Sequence, residues 1–504
     1  MTRPVTWACA LLVAVGLLVS TGATGQATTP RPTEARLSAP PVAALGRPLV
    51  LTARVTPAIR GREVRVERRT PAGTWVKVKV VRQKGSATLK IGVAARKPGL
   101  QTYRVRVIRG GGGKVFSKPV RVRVTRQLEL ISRTPAGTTG AGSSTQPTVA
   151  SGGRYVAFSS SVPDLRPGVG TGFAVYRHDR VTGRTLLLTP NADSDSYNQT
   201  ISADGTRVVF TSSASNLVPG DTNAANDMFL WSGGKIRLLS KARGGGAGDR
   251  GSFTGSISDN GRYVAFTSLA TDLLGSPVNT TSQRLYRLDL RTGELRLLDR
   301  GGNGASSEPV ISNDGRRIVF RSAATNLARG QSATFNSLLV WTQGQGLRNL
   351  TPNPDGETYR PQLSRDGQRV VFDTDASVAV GDDNGFGDVY LATLAGPGRG
   401  VRWVTRGANG TSGYVALSAD GTVVAFASGA TNLAGADANG AMFDVFRWRV
   451  GSAKVKRVTR GGATSEFPAV SGDGLLMAFA SEDDSLAPGD ANTDYDVFTY
   501  AVRR

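Results

Sequence analysis

The sequence is poor in two residue types that often carry chemistry. Cys9 is its only cysteine and His178 its only histidine. Because Cys9 lies inside an early apolar run, we expect no disulfide and no thiol chemistry in the mature chain. A Ser-His-Asp triad or a histidine-rich metal site would have to use His178. That residue stands beside a tight turn, in the segment 176–180, where we expect a surface position.

Long hydrophobic runs are scarce as well. The apolar run from Trp7 to Val19 follows a single charge, Arg3, and precedes a small polar stretch. It is shorter than the ~20 residues that cross a membrane. We therefore expect a secretory signal peptide over residues 1–26, no transmembrane helix and no lipoprotein cleavage site. This predicts a secreted, extracytoplasmic protein.

Acidic residues are nearly absent from one part of the chain. Residues 36–126 contain 23 Lys and Arg but only Glu63 and Glu67 as acids, a local net charge of +21. From residue 127 onward the net charge is only +2. Such a field attracts anionic polymers, and outside the cell these are cell-wall polymers or acidic membrane surfaces. The aromatic residues of the segment are too few to favour base stacking on nucleic acid.

The basic segment alternates apolar and charged residues with period two, as in residues 103–107 and 120–124. This pattern predicts strands with one buried and one exposed face. Gly and Pro separate roughly seven such runs, which fits a small antiparallel β-sandwich over residues 36–126 after a Thr/Pro-rich linker at 27–35. With Trp75 after a turn and Tyr103 near the end, the segment resembles bacterial immunoglobulin-like or fibronectin-like modules.

A different pattern repeats seven times from residue 127 onward. A Ser-x-Asp/Gly-Gly turn is followed by a short strand ending in Phe, at intervals of 51 to 56 residues. Each unit reads as four strands, which is the content of one propeller blade. The turns begin at Ser151, Ser202, Ser258, Ser312, Ser364, Ser418 and Ser471.

These repeats, with their Ser-x-Asp-Gly turn, their strand ending in Phe and their Val-Thr-Arg ending, resemble those of TolB-type propellers, relatives of the WD-repeat class. The resemblance covers about residues 127–504 and implies an all-β fold with a seven-bladed β-propeller behind the sandwich, and protein partners at the cell envelope. The last unit ends before its fourth strand. Residues 128–133 match the fourth-strand endings, and we expect them to complete the last blade.

Short turns at one face and long loops at the other predict the long-loop face as the working face. Four long loops carry Asp-x-Asn and a further Asp. Their oxygens suit calcium, or else they form Asx-turns that lead into the next strand. The residues are Asp221, Asn223 and Asp227; Asp382, Asn384 and Asp388; Asp437, Asn439 and Asp444; and Asp490, Asn492, Asp494 and Asp496.

No catalytic constellation is recognisable, since the sequence lacks a Gly-x-Ser-x-Gly elbow and the Ser-x-Asp-Gly turns predict backbone capping rather than catalysis. The sequence therefore favours a non-enzymatic binding or scaffold protein of the cell exterior. Its long-loop face would bind a protein or a glycan, and its basic sandwich would attach it to an anionic surface. The alternative is a polysaccharide hydrolase or lyase that uses paired carboxylates.

Overall fold

The computed structural model shows a chain built almost entirely of β-strands. One short 3₁₀ helix, Pro163–Leu165, interrupts the strands, and no helix formed by the described residues has the length and apolar character needed to cross a membrane. The predicted signal peptide and residues 27–32 of the predicted linker lie outside the described residues. Those are residues 33–40, 42–44, 48–95, 99–108, 112–125, 127–165, 172–276, 278, 281–352, 354–395, 400–435, 437 and 439–502.

The basic segment forms two sheets. One has the order β1-β3-β6, and the other has the order β2-β9-β7-β4-β5 with β8 paired to β7. The strands are β1 (Glu34–Ser38), β2 (Val42–Ala44), β3 (Pro48–Thr56), β4 (Glu63–Arg69), β5 (Trp75–Arg82), β6 (Thr88–Ala94), β7 (Gly99–Ile108), β8 (Lys114–Phe116) and β9 (Val120–Thr125).

A single core joins these two sheets, because the period-two alternation turns one face of each strand inward. Leu51 and Val55 of β3 pack with Val66 of β4 and Val105 of β7, and all four side chains are buried. The basic residues alternate with them. β2 pairs in parallel with β9, whereas the other strand pairs of this region are antiparallel.

The rest of the chain forms seven antiparallel sheets of four strands each, which is consistent with propeller blades. The first three sheets consist of β11 (Ser144–Val149), β12 (Tyr155–Ser160), β13 (Ala174–Asp179) and β14 (Arg184–Leu187); β15 (Ser196–Ile201), β16 (Arg207–Ser212), β17 (Asp227–Ser232) and β18 (Lys235–Leu238); and β19 (Ser252–Ile257), β20 (Tyr263–Ser268), β21 (Arg284–Asp289) and β22 (Leu295–Leu297).

Sheets four to six have the same order. They consist of β23 (Ser306–Ile311), β24 (Arg317–Ser322), β25 (Ser337–Thr342) and β26 (Gly346–Asn349); β27 (Thr358–Leu363), β28 (Arg369–Thr374), β29 (Asp388–Thr393) and β30 (Gly400–Trp403); and β31 (Ser412–Leu417), β32 (Val423–Ser428), β33 (Asp444–Arg449) and β34 (Val455–Arg457).

Sheet seven combines both ends of this region. Its first three strands are β35 (Ser465–Val470), β36 (Leu476–Ser481) and β37 (Asp496–Ala501), and its fourth is β10 (Leu128–Leu130). β10 pairs antiparallel with β37, with Leu130 opposite Phe498. A strand that precedes the first sheet therefore completes the last one and covers the edge that β37 would otherwise leave open.

Apolar side chains hold neighbouring sheets together. The second strand of each sheet has a buried Phe as its fourth residue and continues for two residues beyond it, further than the sequence predicted. In six sheets this Phe stacks on an aromatic ring of the third strand at 5.6 to 5.9 Å between ring centroids. Core clusters span adjacent sheets, as where Met228 of the second packs with Phe266 of the third. The first strand of each sheet contacts that of the next, and β35 contacts β11, so the seven sheets close into a ring.

Candidate functional site

The first strand of every sheet contains a β-bulge near its beginning. The antiparallel register with the second strand shifts there in all seven sheets. In six sheets the third residue of the strand has a left-handed φ although it is not glycine, a conformation that costs about 1 kcal/mol or more and often marks a functional position. These residues are Gln146 (φ 51°), Asn198 (52°), Glu308 (49°), Arg360 (43°), Tyr414 (52°) and Phe467 (51°).

The third sheet has Thr254 at this position, and its register shifts between Phe253 and Gly255. Thr254 and the six left-handed residues are all half-buried, and all line one cavity of about 300 Å³ on the axis of the ring. Each lies close to the point where a fourth-to-first loop enters its strand. The seven residues therefore surround the opening of the channel at the long-loop face, and we call them the mouth residues.

The mouth residues of sheets one to three are uncharged. The side-chain Oε1 of Gln146 accepts a hydrogen bond from the backbone N–H of Asn198 (3.3 Å), and the hydroxyls of Thr254 and Thr267 lie 3.3 Å apart. This third of the opening presents amides and hydroxyls that both donate and accept hydrogen bonds.

Sheets four and five contribute charge. Arg321 donates to Glu308 (3.1 Å) and to Glu357 (2.9 Å), and the backbone N–H of Arg360 donates to Glu308 (2.7 Å). Arg360 also forms a bidentate ion pair with the buried Asp373. In sheet four the mouth residue is the acid and the second strand supplies the base, whereas in sheet five these roles are reversed.

Burial raises the pKa of Asp373 to about 6, and the Arg360 guanidinium acts against that rise. The ion pair leaves no room for a side chain on the neighbouring first strand. A Cβ atom on Gly413 would lie 2.8 Å from Oδ2 of Asp373 and 2.9 Å from Nη2 of Arg360. Glycine at this position therefore permits the charged pair to lie against sheet six.

Sheets six and seven make the opening aromatic. The Tyr414 and Phe467 rings pack edge to face with centroids 4.8 Å apart, and Phe467 packs in the same way on Tyr495 at 6.2 Å. The Arg360 guanidinium lies 4.2 Å from the centroid of Tyr414, a cation–π distance. The hydroxyl of Tyr495 donates to Glu466 (3.3 Å), whose pKa is raised by burial.

The opposite end of the channel is cross-linked. Arg365 of sheet five reaches Asp259 of sheet three (2.6 Å), and Ser151 of sheet one donates to the same carboxylate (3.3 Å). Side chains from non-adjacent sheets therefore bridge the channel at the tight-turn face. The chemically varied opening is the one at the long-loop face.

The Ser-x-Asp-Gly turns at this cross-linked end form backbone caps. In sheet two the Ser202 hydroxyl donates to Asp204 (2.6 Å), Asp204 accepts the Thr206 N–H (3.0 Å), and Gly205 has φ +71°. The sequence assignment of the first turn was wrong by one residue. Ala150, whose N–H donates to Tyr155 O, holds the place of the repeated Ser, and Ser151 follows it.

The acidic loops of sheets two and five are closed by hydrogen bonds. The Asn223 amide donates to Asp227 (2.8 Å) and the Asn384 amide to Asp388 (3.0 Å). Hydroxyls of the fourth strand's end, Ser240 and Thr405, donate to the other oxygen of each Asp. Asp382 accepts from the Tyr390 hydroxyl, whereas Oδ2 of Asp221 is buried without a partner. Burial raises the pKa of Asp227 to about 7 and also raises that of Asp221.

Sheet six contains a basic group at the same place. The buried Arg457 guanidinium lies 2.9 Å from Asp437 and 3.3 Å from Asp444. The Thr459 hydroxyl donates to Asp444 (2.6 Å), and the backbone N–H of Asn439 donates to Asp437 (3.3 Å). An ion pair thus neutralises part of the buried negative charge.

Among the described residues, the acidic loop of sheet seven has neither the Asn–Asp hydrogen bond of sheets two and five nor the ion pair of sheet six. Ser132 donates to Oδ1 of Asp496 (2.6 Å), and the Asn492 amide donates to the carbonyl of Gly140 (2.6 Å). Asp494 points elsewhere and accepts the Gly142 N–H (3.0 Å). Across the described part of the chain, no three His, Cys, Asp or Glu side chains converge closely enough to form a metal site by themselves. An ion in these loops would also need amide or carbonyl oxygens.

The expectation for His178 was wrong, because the side chain is only 1% exposed. Its Nδ1 lies 3.0 Å from the Thr185 hydroxyl. Burial, together with the positive charges of Arg180, Arg133 and Arg123, lowers its pKa to about 3. A neutral, buried imidazole surrounded by arginines, away from the channel, has no catalytic partner and fills a structural position.

The mouth residues were not singled out from the sequence, although a signal existed. They are the fourth residues before the turn serines, once Ala150 replaces Ser151 in the first repeat. The repeats share Ser and Phe at fixed positions, whereas this position holds seven different residue types. Neighbouring positions of the first strand vary almost as much, so the variation gains its meaning only together with the left-handed backbone and the shared cavity.

The fold therefore defines an all-β protein of seven repeated four-stranded sheets, preceded by two packed sheets of three and six strands. No protein-family model matches the chain, and no curated protein is similar enough to count as a relative.

Proposed function

We propose that this chain is a secreted, non-enzymatic binding protein of the bacterial cell exterior, built as a TolB-like seven-bladed β-propeller behind an immunoglobulin-like sandwich. The propeller binds its ligand at the long-loop face, in the channel opening. The basic sandwich attaches the protein to an anionic cell-wall polymer or membrane surface. The two regions thus have separate ligands.

The mouth residues carry the first part of this proposal. Seven different half-buried side chains surround one cavity, and six of them have a left-handed backbone conformation. Rigid strands hold them, which suits a site whose geometry must be maintained. A β-bulge with a strained, left-handed backbone at the same place in six sheets is expected where it directs side chains toward a ligand.

The chemistry of the opening favours a glycan over a purely apolar ligand. A sugar presents a flat C–H face to an aromatic ring and hydroxyls at its edge, and the Tyr414 and Phe467 rings line the same cavity as the amides of Gln146 and Asn198. The Arg360 and Glu308 side chains add donors and acceptors between them. A cavity of about 300 Å³ is at the small end of ligand sites, so it suits a terminal sugar unit.

A glycan array that includes bacterial wall polysaccharides and peptidoglycan fragments tests this proposal. We expect the purified protein to bind a subset of saccharides, and Tyr414→Ala or Phe467→Ala to weaken that binding at least about ten-fold, the effect of losing ~1.4 kcal/mol. Lys235→Ala, in the hairpin turn of sheet two, serves as the control. Binding that survives both aromatic substitutions would contradict the site, and binding only to peptides would replace the glycan by a protein ligand.

The second part rests on the charge of the sandwich. β5 is an edge strand of its sheet, and residues 76–80 along it are exposed, with Lys77 and Lys79 between three partly exposed valines. Lysines on an edge strand discourage pairing with other strands and present positive charge. Together with the other basic residues they supply the local charge of +21.

Sedimentation with purified cell walls and with vesicles of anionic lipid tests this attachment. We expect binding that falls steeply as salt rises, because screening removes the attraction. Reversing Lys77 and Lys79 to Glu should weaken it, while saccharide recognition stays unchanged. Salt-independent binding, or equal binding to neutral vesicles, would contradict electrostatic attachment.

One observation favours the alternative of a polysaccharide hydrolase or lyase. Asp373 and Glu466, both next to mouth residues, have raised pKa values, as a general acid requires. Each already has a partner, Arg360 and Tyr495 respectively. Any saccharide bound on the array should therefore also be incubated with the protein and examined for new reducing ends or unsaturated products, whose appearance would establish the enzyme.

A further inference from the structure

Four loops of the ring share the Asp-x-Asn pattern but differ in how their buried carboxylates are neutralised. In sheets two and five an Asn amide bridges to the Asp that begins the third strand. In sheet six Arg457 pairs with both carboxylates. None of the ion pairs among the described residues involves the acidic loop of sheet seven, and its Asn amide is directed at Gly140 instead.

Three buried oxygens in the loop of sheet seven have no hydrogen-bond partner, namely Oδ1 of Asp490, Oδ1 of Asn492 and Oδ2 of Asp496. The matching oxygens of Asp437, Asn439 and Asp444 in sheet six are also without one, but there the Arg457 guanidinium lies 2.9 and 3.3 Å from the two carboxylates. Asp496 is fully buried, so its second oxygen has no access to bulk water. A buried carboxylate oxygen left without a partner is costly, by about 1–3 kcal/mol or more.

Sheet six shows how two buried carboxylates in this kind of loop are neutralised within the protein. Arg457 lies opposite Phe446 in its strand pair, two residues before the threonine that donates to Asp444. Leu130 holds the same place in sheet seven, opposite Phe498 and two residues before Ser132, which donates to Asp496. Where sheet six supplies a guanidinium, sheet seven supplies a leucine, and no ion pair among the residues that the structure describes involves its carboxylates.

Further negative charge lies close to this loop. Asp483, which is 3% exposed, occupies a position where the second to sixth sheets have alanine, namely Ala214, Ala270, Ala324, Ala376 and Ala430. Asp484 follows it directly, and both stand in the same connection between β36 and β37 as Asp490.

We propose that the loop of sheet seven binds a calcium ion through Asp490, Asn492 and Asp496, and that this ion locks the closure of the ring. Carboxylate and amide oxygens in a flexible loop suit calcium, which takes six to eight oxygen ligands and accepts backbone carbonyls and water among them. The inference is independent of what the channel opening binds. It does not extend to sheet six, where Arg457 is present.

The position of the site explains why an ion would matter there. The same loop holds the segment that follows β10, since Asn492 donates to Gly140, Ala491 N–H donates to Thr139 (3.1 Å) and Asp494 accepts from Gly142. An ion bound to this loop fixes the contact between the two ends of the ring. Its removal should loosen residues 128–142 and 490–502 before the other sheets.

The test is calorimetric titration of the full chain with calcium and with magnesium, and thermal melting with calcium or with chelator. We expect calcium to raise Tm by at least about 3 °C and magnesium to bind at least about ten-fold more weakly, since it demands stricter geometry. Hydrogen exchange without calcium should quicken in residues 128–142 and 490–502.

Three variants separate this site from its counterparts. Asp490→Asn with Asp496→Asn should abolish the calcium heat and the Tm shift, and so should Leu130→Arg, which copies the guanidinium of sheet six. Asp388→Asn, the matched change in sheet five, should leave both intact. If the double variant fails to fold, Asn492→Ala should still weaken calcium binding at least about ten-fold. An absence of heat in the unaltered protein, or a shift that persists in Leu130→Arg, would overturn the proposal.

Discussion

The two ends of the channel are made by the same seven strands and differ in every other respect. At the tight-turn end, most repeats use the same Ser, Asp and Gly in the same hydrogen bonds, and Arg365 and Asp259 bridge across the axis. At the long-loop end each sheet presents another residue type around an open cavity. Uniform chemistry is what a scaffold needs, and varied chemistry is what recognition of an asymmetric ligand needs.

Among substitutions that test this difference between the two ends, we expect the largest loss of stability at the Arg360–Asp373 ion pair of sheet five. Arg360→Leu leaves Asp373, which is 2% exposed, without its partner, and we expect the free energy of unfolding to fall by about 3 kcal/mol. The loss should be greater at pH 8 than at pH 5, because the abandoned carboxyl can take up a proton at the lower pH. Urea unfolding at both pH values measures it.

The control for this prediction is the double variant Arg360→Leu with Asp373→Leu, which removes both charges. It should recover much of the lost stability and should show no difference between pH 8 and pH 5 of this origin. Equal instability of the single and double variants would mean that packing around the two side chains, rather than an unpaired charge, is responsible.

A smaller loss of stability is expected at the tight-turn end of the channel. Gly315 has φ +68°, and a Cβ atom there would lie 2.3 Å from the Tyr263 ring of the preceding sheet. Gly315→Ala should therefore lower the free energy of unfolding by about 2 kcal/mol or more, through backbone strain and displacement of the ring. Denaturant unfolding measures the loss.

Gly293 provides a matched comparison, since its φ is +77° and no atom lies within 4 Å of the position that its Cβ would take. Gly293→Ala should cost only the strain, about 1 kcal/mol. Equal losses in the two variants would show that contact between successive sheets does not require glycine in these turns.

Burial of His178 predicts a comparable effect that depends on pH. Its pKa is about 3 in the folded chain and near 6.5 in the unfolded chain, so the neutral form stabilises the fold above pH 6.5 and this contribution is lost as the pH falls toward 3. Between pH 7 and pH 5 the loss amounts to about 2 kcal/mol. Subtracting the pH dependence of a His178→Leu variant isolates it. Because the chain has one histidine, NMR can follow its imidazole without assignment, and titration near pH 6.5 in the folded protein would contradict the prediction.

The sequence predicted the repeated sheets well because their signals are local: a Ser-x-Asp-Gly turn, a buried Phe and a regular interval. It also predicted that residues 128–133 complete the last unit, and β10 pairs with β37. It missed the burial of His178, because that depends on how the central strand β13 is covered by its neighbours β12 and β14 and by more distant parts of the chain, which the local sequence does not show.

The mouth residues were missed for a different reason. Nothing in the residue types Glu, Arg, Tyr or Phe indicates a left-handed backbone, which such residues rarely adopt. The conformation follows from the bulge, and the bulge follows from how each first strand packs against its neighbours. The loops of sheets two and six likewise share their residue types with that of sheet seven, and only the structure shows which carboxylates have partners.

The smallest expected change in stability comes from substitutions that test the backbone strain of the mouth residues. Gln146 has φ 51°, whereas Thr254, at the same place in sheet three, has no left-handed φ. Gln146→Gly relieves this strain but also removes the hydrogen bond that the Asn198 N–H donates to Oε1, so we expect the free energy of unfolding to change by less than about 1 kcal/mol. Thr254→Gly should lower it by about 1 kcal/mol, since there glycine only adds freedom to the unfolded chain. If both variants lose stability equally, the left-handed backbone stores no strain, and the argument that a ligand site maintains it fails.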